Sequence, residues 1–188
     1  MVERVVNLGG LRDVFVEQLA GMFELVAVDD PRARDATAAV TTGGGGISSD
    51  QIAAMPRLKL VAGFGVGYDR VDIGAAKARG VVVTNTPGLT DICVADHAMA
   101  LYLAVARRVA EGDRFVRAGK WPTARLGGLA HRASQRNFGI VGLGRIGMQI
   151  AKRAAAFDMP IGYHNRKPRG DVPYRYFDSV LELARWAD

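Results

Sequence analysis

The first half of the chain alternates short apolar runs with amphipathic stretches, separated by glycine, proline or aspartate. Residues 4–8 read as a strand. Residues 11–22 read as a helix that turns Val14, Phe15, Leu19 and Met22 inward at helical spacing. A second strand is expected at 23–28, stopped by Asp29-Asp30-Pro31, and a third at 36–42, running into Gly43-Gly44-Gly45-Gly46. Ser48 or Ser49 caps a short helix that must end before Pro56. A strand at 58–63, a helix at 72–78 closed by Gly80 and a strand at 81–84 complete the series. Strands alternating with helices predict an α/β fold with a parallel sheet, here flavodoxin-like, over residues 1–88.

After Pro87-Gly88 the pattern changes. Thr90 or Asp91 can cap a helix reaching about Ala110 that is apolar on nearly every side, which predicts burial. Arg107 and Arg108 would fall in its last turns, where cations suit the helix dipole. Residues 111–136 read as a looser arm carrying Trp121-Pro122 and Gly127-Gly128. An exposed tryptophan there is either a subunit contact or a packing residue.

The stretch that organises the second half is F-G-I-V-G-L-G-R-I-G, Phe138 to Gly147. An apolar run enters a turn at Gly142, Gly144 and Gly147. A helical pattern follows, with Ile146, Ile150, Ala151, Ala154 and Ala155 on one side, and then a second strand at 159–164. This is a G-x-G-x-x-G fingerprint in the context that gives it meaning, leaving a strand and opening a helix. The first glycine permits the turn, the second lets backbone approach a pyrophosphate, and the third lets helix lie close on strand. Free amides and the positive helix end then favour an anion. A third strand at 174–177 and a helix at 180–187 capped by Asp178 or Ser179 extend a Rossmann, doubly wound pattern over residues 89–188. The fourth strand that opens the ligand crevice has no counterpart before Asp188, so this domain reads as incomplete.

Composition narrows the class only slightly. About half of the 188 residues are apolar and charges of both signs are mixed, as in an ordinary globular protein. The single cysteine, Cys93, excludes an intramolecular disulfide and suits a reducing, cytoplasmic compartment. The net charge of +6 is spread among acidic residues with no basic block, which argues against nucleic acid. The longest apolar run is too short and too charged to span a membrane.

Cofactor choice is read at the end of the second nucleotide-fold strand, where an acidic residue would bond the ribose hydroxyls of NAD. Here Tyr163-His164-Asn165-Arg166-Lys167 stands instead, and Arg166 and Lys167 supply donors for a 2′-phosphate. NADP(H) is therefore preferred, with NAD(H) as the alternative. Gly63-Phe64-Gly65-Val66-Gly67 is either a plain strand-to-helix turn or an anion-binding nest of backbone amides. The four glycines at Gly43–Gly46 read as a flexible turn. His97 reads as a satisfied core residue inside the long helix, and no Cys/His/Asp cluster has metal-ligand spacing.

Several separated motifs then coincide in order: GFGVGYDRVDI from Gly63, RGVVVTNTPG from Arg79, VADHAMAL from Val94, R-x-G-x-W at Arg117 to Trp121, and GIVGLGRIG with YHNRKP. Together they resemble the D-isomer-specific 2-hydroxyacid dehydrogenases, and within them the glyoxylate/hydroxypyruvate reductases, over nearly the whole chain. The resemblance implies that Val66 and Gly67 hold a substrate carboxylate through their amides. It implies that Arg145 and Ile146 bind the pyrophosphate, that Asn165, Arg166 and Lys167 select NADP, and that Val94 packs near the nicotinamide. It also implies a homodimer joined through the segments in 90–130, and a small 2-oxo acid as substrate.

The family's pattern places its catalytic arginine, glutamate and histidine later than Asp188, so no catalytic residue is expected within these residues and poor or no turnover from them alone. Gln135-Arg136-Asn137 also replaces the usual glycine-basic lead-in, predicting a strained or rebuilt turn. Two other readings use the same scaffold: a corepressor-like dinucleotide sensor or non-catalytic remnant, and a phosphoglycerate or formate dehydrogenase. Arg166-Lys167 argues against the last.

Overall fold

The computed structural model describes residues 3–188, in two compact units that meet in sequence between Leu89 and Thr90. The first contains β1 (Arg4–Asn7), α1 (Asp13–Ala20), β2 (Glu24–Ala27), β3 (Ala38–Thr42), α2 (Ser49–Ala54), β4 (Leu60–Phe64), α3 (Ile73–Ala78) and β5 (Val82–Thr84). All five strands are parallel, in the order β2-β1-β3-β4-β5, which is the flavodoxin-like order. Alternate residues of β3 explain the layering: Ala39 and Thr41 are fully buried, whereas Ala38 and Val40 are half-buried on the other face. The buried face joins Val6, Ile47, Ile52, Met55 and Val61 in one core. Ser48, not Ser49, caps α2, in a reciprocal capping box with Gln51.

The expectation for α1 needs correction. Phe15 and Leu19 are half-buried, but Val14 and Met22 are exposed. Gly21 ends the helix, so Met22 lies outside it, and Val14 lies off the stripe that Phe15 and Leu19 define.

The second unit contains α4 (Asp91–Ala106), α5 (Val109–Arg117), β6 (Phe138–Val141), α6 (Arg145–Ala155), β7 (Ile161–His164), β8 (Arg175–Tyr176) and α7 (Val180–Trp186). Its strands are parallel in the order β6-β7-β8, and among the described residues β6 pairs only with β7. A Cβ on Gly139 would meet Leu183 and Ala187 of the α7 end, whereas the neighbouring Ile140 faces Gly147 of α6. Successive strand residues point to opposite faces, so α6 and α7 cover opposite sides of the sheet. The approach is close because the contact residues are small. Gly147, Ala151 and Ala154 are the buried residues of α6, and a Cβ on Gly162 would overlap Phe177 and Trp186. Ala155, expected inward, is exposed.

Three further expectations are corrected here. The long apolar helix ends at Ala106, because Arg108 takes a left-handed conformation (φ 55°) and bonds the Glu111 carboxylate, starting α5 where a loose arm was expected. Nor is α4 buried on every side: it packs along α6, with Ala95 and Met99 buried and Ile92, Leu101 and Val105 exposed. His97, on its open side, is exposed and not a core residue. The lead-in to β6 turns at Gln135. Gln135 occupies left-handed space (φ 61°), and Asn137 is tied through its N–H to the Asp188 carboxylate and through Nδ2 to the Trp186 carbonyl.

Candidate functional site

Between β6 and α6 the chain turns through Gly142 (φ +92°), Leu143 and Gly144. The Gly142 N–H donates to the His164 carbonyl, and the Leu143 N–H to Asn165 Oδ1 at 2.7 Å. Among the described residues, the N–H groups of Gly144, Arg145 and Ile146 find no acceptor, and the first turn of α6 holds no acid. A Cβ on Gly144 would project into open space, while one on Gly147 would overlap the Gly142 carbonyl. The three glycines thus divide the work: one reverses the chain, one leaves room above the helix end, and one permits contact with the strand. Unmet amides, a positive helix end and an open approach fit a pyrophosphate.

Arg145 begins this helix, where the dipole disfavours a cation. Its Nε lies 3.4 Å from Oδ2 of Asp91, a residue buried at the start of α4, and this pairing offsets the repulsion. The pairing also brings the first turns of α4 and α6 together, with Val94 exposed one turn into α4. Sequence reading treated Asp91 only as a possible cap.

A cleft of about 700 Å³ is lined by Val141, Gly142, Leu143, Gly144, His164, Asn165, Arg166 and Lys167. It contains no carboxylate. Arg166 and Lys167 are exposed, and neither forms an ion pair among the described residues. His164 turns Nδ1 to the Phe177 carbonyl (2.9 Å) and stacks on Tyr176, so its ring is engaged with the β8 side. The structure therefore brings Gly142, Gly144, Asn165, Arg166 and Lys167 to one cleft, with Arg145, Ile146 and Gly147 at the helix that opens it.

In the first unit, the loop after β4 is gripped from the end of β5. Gly65 (φ +126°) donates to Thr86 Oγ1 and accepts from the Thr86 N–H, and Asn85 Nδ2 donates to the Val66 carbonyl at 2.8 Å. The N–H groups of Val66 and Gly67 find no acceptor among the described residues. The Asp69 carboxylate lies beside Gly67. The tetraglycine run is not a free turn: Gly43 packs on Gly67, Gly46 (φ +76°) packs on Arg70, and Arg70 Nη1 donates to the Gly44 carbonyl. A side chain at either contact position would push the two loops apart, which is why glycine recurs. Asn85, Thr86 and Arg70 lie within the quoted motifs, but nothing local in the sequence assigns them these contacts, since each is polar and lies in a turn.

Among the described residues no group of three or more His, Cys, Asp or Glu is disposed to hold a metal. Nor, among the described residues, is any helix long and apolar enough to cross a membrane.

The sequence model of one family, described as D-isomer specific 2-hydroxyacid dehydrogenase, catalytic domain, matches residues 24–173. The chain belongs to this family. Among its relatives, a glyoxylate/hydroxypyruvate reductase of Arabidopsis thaliana is 44% identical over 151 residues, covering 80% of this chain and 48% of that protein. A glyoxylate reductase of Thermococcus litoralis is 38% identical, covering 89% and 57%. The chain spans about half the length of the curated relatives it matches. Among solved structures, an NADPH-dependent glyoxylate/hydroxypyruvate reductase of Sinorhizobium meliloti in complex with NADP and malonate superposes with a TM-score of 0.91 at 35% identity. That match covers 100% of this chain and 61% of the other. A 2-hydroxyacid dehydrogenase of Ketogulonicigenium vulgare gives a TM-score of 0.92 at 36% identity, covering 100% and 63%.

Proposed function

We propose that this chain is the nucleotide- and carboxylate-binding part of an NADP(H)-dependent reductase of small 2-oxo acids, of the glyoxylate or hydroxypyruvate class. Residues 1–88 are the substrate domain and 89–188 the nucleotide domain, and NAD(H) is the second choice of cofactor. The observation that carries this reading is the cleft at the end of β7, where two cations and the unmet amides of a turn stand together, none with a partner among the described residues. The names of the relatives support the substrate class, and the neighbour solved with NADP supports the cofactor.

The nicotinamide, when bound, supplies the hydride. The chain's own residues do the holding. The amides of Gly144, Arg145 and Ile146 receive the pyrophosphate at the N-terminus of α6, with Gly142 and Gly147 shaping the approach. Asn165 fixes the turn while Arg166 and Lys167 receive the 2′-phosphate by charge-assisted hydrogen bonds. Val94 provides an apolar surface near the nicotinamide end. The amides of Val66 and Gly67 orient the substrate through its carboxylate. No catalytic residue is assigned within 3–188. The exposed face of α4 and the arm bearing Trp121 (69% exposed) suit a homodimer contact, in a cytoplasmic protein with no nucleic-acid or membrane partner.

Titrating the 188-residue chain with NADPH and with NADH, followed by nicotinamide fluorescence, tests this. NADPH is expected to bind about tenfold more tightly, the scale of one good charge-assisted contact. The double substitution Arg166→Ala/Lys167→Ala is expected to abolish the difference. Equal or tighter binding of NADH by the unsubstituted chain would refute the NADP(H) assignment.

A further inference from the structure

Leu143 stands at the centre of the glycine turn, and a single segment, residues 165–171, takes both of its main-chain polar groups. Its N–H donates to Asn165 Oδ1 (2.7 Å), and its carbonyl accepts from Arg169 Nη1 (2.9 Å). Arg169 is itself held on several sides. Nε and Nη2 bond the two carboxylate oxygens of Asp171 at 2.9 and 2.5 Å, and the backbone N–H donates to the Tyr163 hydroxyl at 2.8 Å. That hydroxyl donates in turn to the Arg169 carbonyl, and Tyr163 is 1% exposed in β7, which pairs with strands on both sides. The chain that leaves β7 is therefore pinned back at both ends, and Arg166, Lys167 and Pro168 between the ties are exposed.

A phosphate-binding pair on a loose loop would have to be ordered when ligand arrives, at the expense of affinity; a loop tied beforehand avoids that cost. We propose that Arg169 is a positioning residue: by tying the 165–171 loop to Leu143, it holds Arg166 and Lys167 at the cleft. It thereby sets the discrimination between nucleotides with and without a 2′-phosphate. The inference rests on the nucleotide reading above. Arg169 acts through other residues, since its guanidinium is engaged with the Leu143 carbonyl and with Asp171. The strength of the second contact is reflected in Asp171, whose carboxyl the Arg169 hydrogen bond draws below its ordinary range.

The test is calorimetric titration of the 188-residue chain with adenosine 2′,5′-bisphosphate and with ADP, read as the ratio of the two affinities. A structural defect weakens both probes together; a lost position for the two cations lowers the ratio. Arg169→Met is expected to lower the ratio about tenfold, the scale of one charge-assisted hydrogen bond. Arg169→Lys should recover part of it, because an ammonium can still reach the Leu143 carbonyl. Asp171→Asn separates positioning from direct contact, and decides the matter if Arg169→Met does not fold. It weakens the tie and lowers the ratio if Arg169 positions the loop, whereas it frees the guanidinium for the phosphate and raises the ratio if Arg169 is itself a ligand.

An unchanged or raised ratio in either variant overturns the proposal, as does equal weakening of both probes. An unsubstituted chain that binds ADP without favouring the 2′-phosphate overturns the NADP(H) assignment and this inference with it. One that binds neither probe overturns dinucleotide binding altogether.

Discussion

Asn165 accepts the Leu143 N–H at 2.7 Å, bridging the end of β7 and the turn that follows β6. An aspartate there would accept the same hydrogen bond and also carry a negative charge into the cleft. The residue that anchors the turn is thus also the one that sets the charge at this end of the cleft.

Asn165→Ala leaves the Leu143 amide without its partner. It is expected to cost about 1 kcal/mol in urea unfolding. Both tryptophans, Trp121 and Trp186, lie in the second unit, so their fluorescence reports on that unit. Asn165→Asp should keep stability within about 0.5 kcal/mol of the original, as the acceptor remains. It should also shift preference from NADPH toward NADH, measured by titration with each. Equal losses of stability in both variants would show that the hydrogen bond is not what matters.

Gly144 and Gly147 separate binding from folding. A Cβ at Gly147 overlaps the Gly142 carbonyl, so Gly147→Ala is expected to destabilise the second unit by about 1–3 kcal/mol. A Cβ at Gly144 meets no heavy atom of the chain within 4 Å, so Gly144→Ala should cost less than about 1 kcal/mol. It should nonetheless weaken nucleotide binding, because the methyl group enters the space left for phosphate. Unfolding curves and titrations on the two variants check this, and full nucleotide affinity in Gly144→Ala would contradict the placement of the phosphate.

Val105 is 80% exposed and Leu101 55% exposed on α4. If this face joins two copies, Val105→Glu is expected to sediment as a monomer at concentrations where the original chain is a dimer. Its monomer stability should change by less than about 0.5 kcal/mol, as is usual for an exposed position. An original chain that sediments as a monomer would remove the dimer proposal.

Arg169 holds the Asp171 carboxyl below the ordinary aspartate value of 3.8, and Arg32 brings Asp30 down to about 2. Both folded-state values are depressed. The stability each contributes is therefore fully present above 3.8 and is lost as pH falls through the folded-state value. Acidification from neutrality to about pH 5 should leave both pairs intact. Carboxyl NMR titration should give midpoints for both residues below the ordinary aspartate value of 3.8. Replacing Arg169 by Met should return Asp171 to the ordinary range.

The periodicities and the turn residues carried most of the architecture. Alternation in residues 36–42, the capping pair Ser48 and Gln51, and the strand-turn-helix at Phe138–Gly147 are local features, set by backbone geometry over a few residues. The glycine turn was legible for the same reason, as was the pair Arg166-Lys167 that follows the second strand. The apolar run from Asp91 misleads twice: it does not reveal that Arg108 takes a left-handed conformation, and it implies burial for a helix that this chain covers on one side only.

What sequence alone determined here is the order of the elements, the place of the glycine turn and the absence of an acid at the end of β7, because each depends on residue type at short spacing. What only the tertiary structure decided is how those pieces are held. Asp91 meets Arg145 from 54 positions away, and Arg169 reaches the Leu143 carbonyl across 26. The tetraglycine run becomes a packed wall only because Gly67 and Arg70 stand against it. Such contacts join side chains and carbonyls that any sequence contains in abundance, and the folding of parallel strands selects which of them meet.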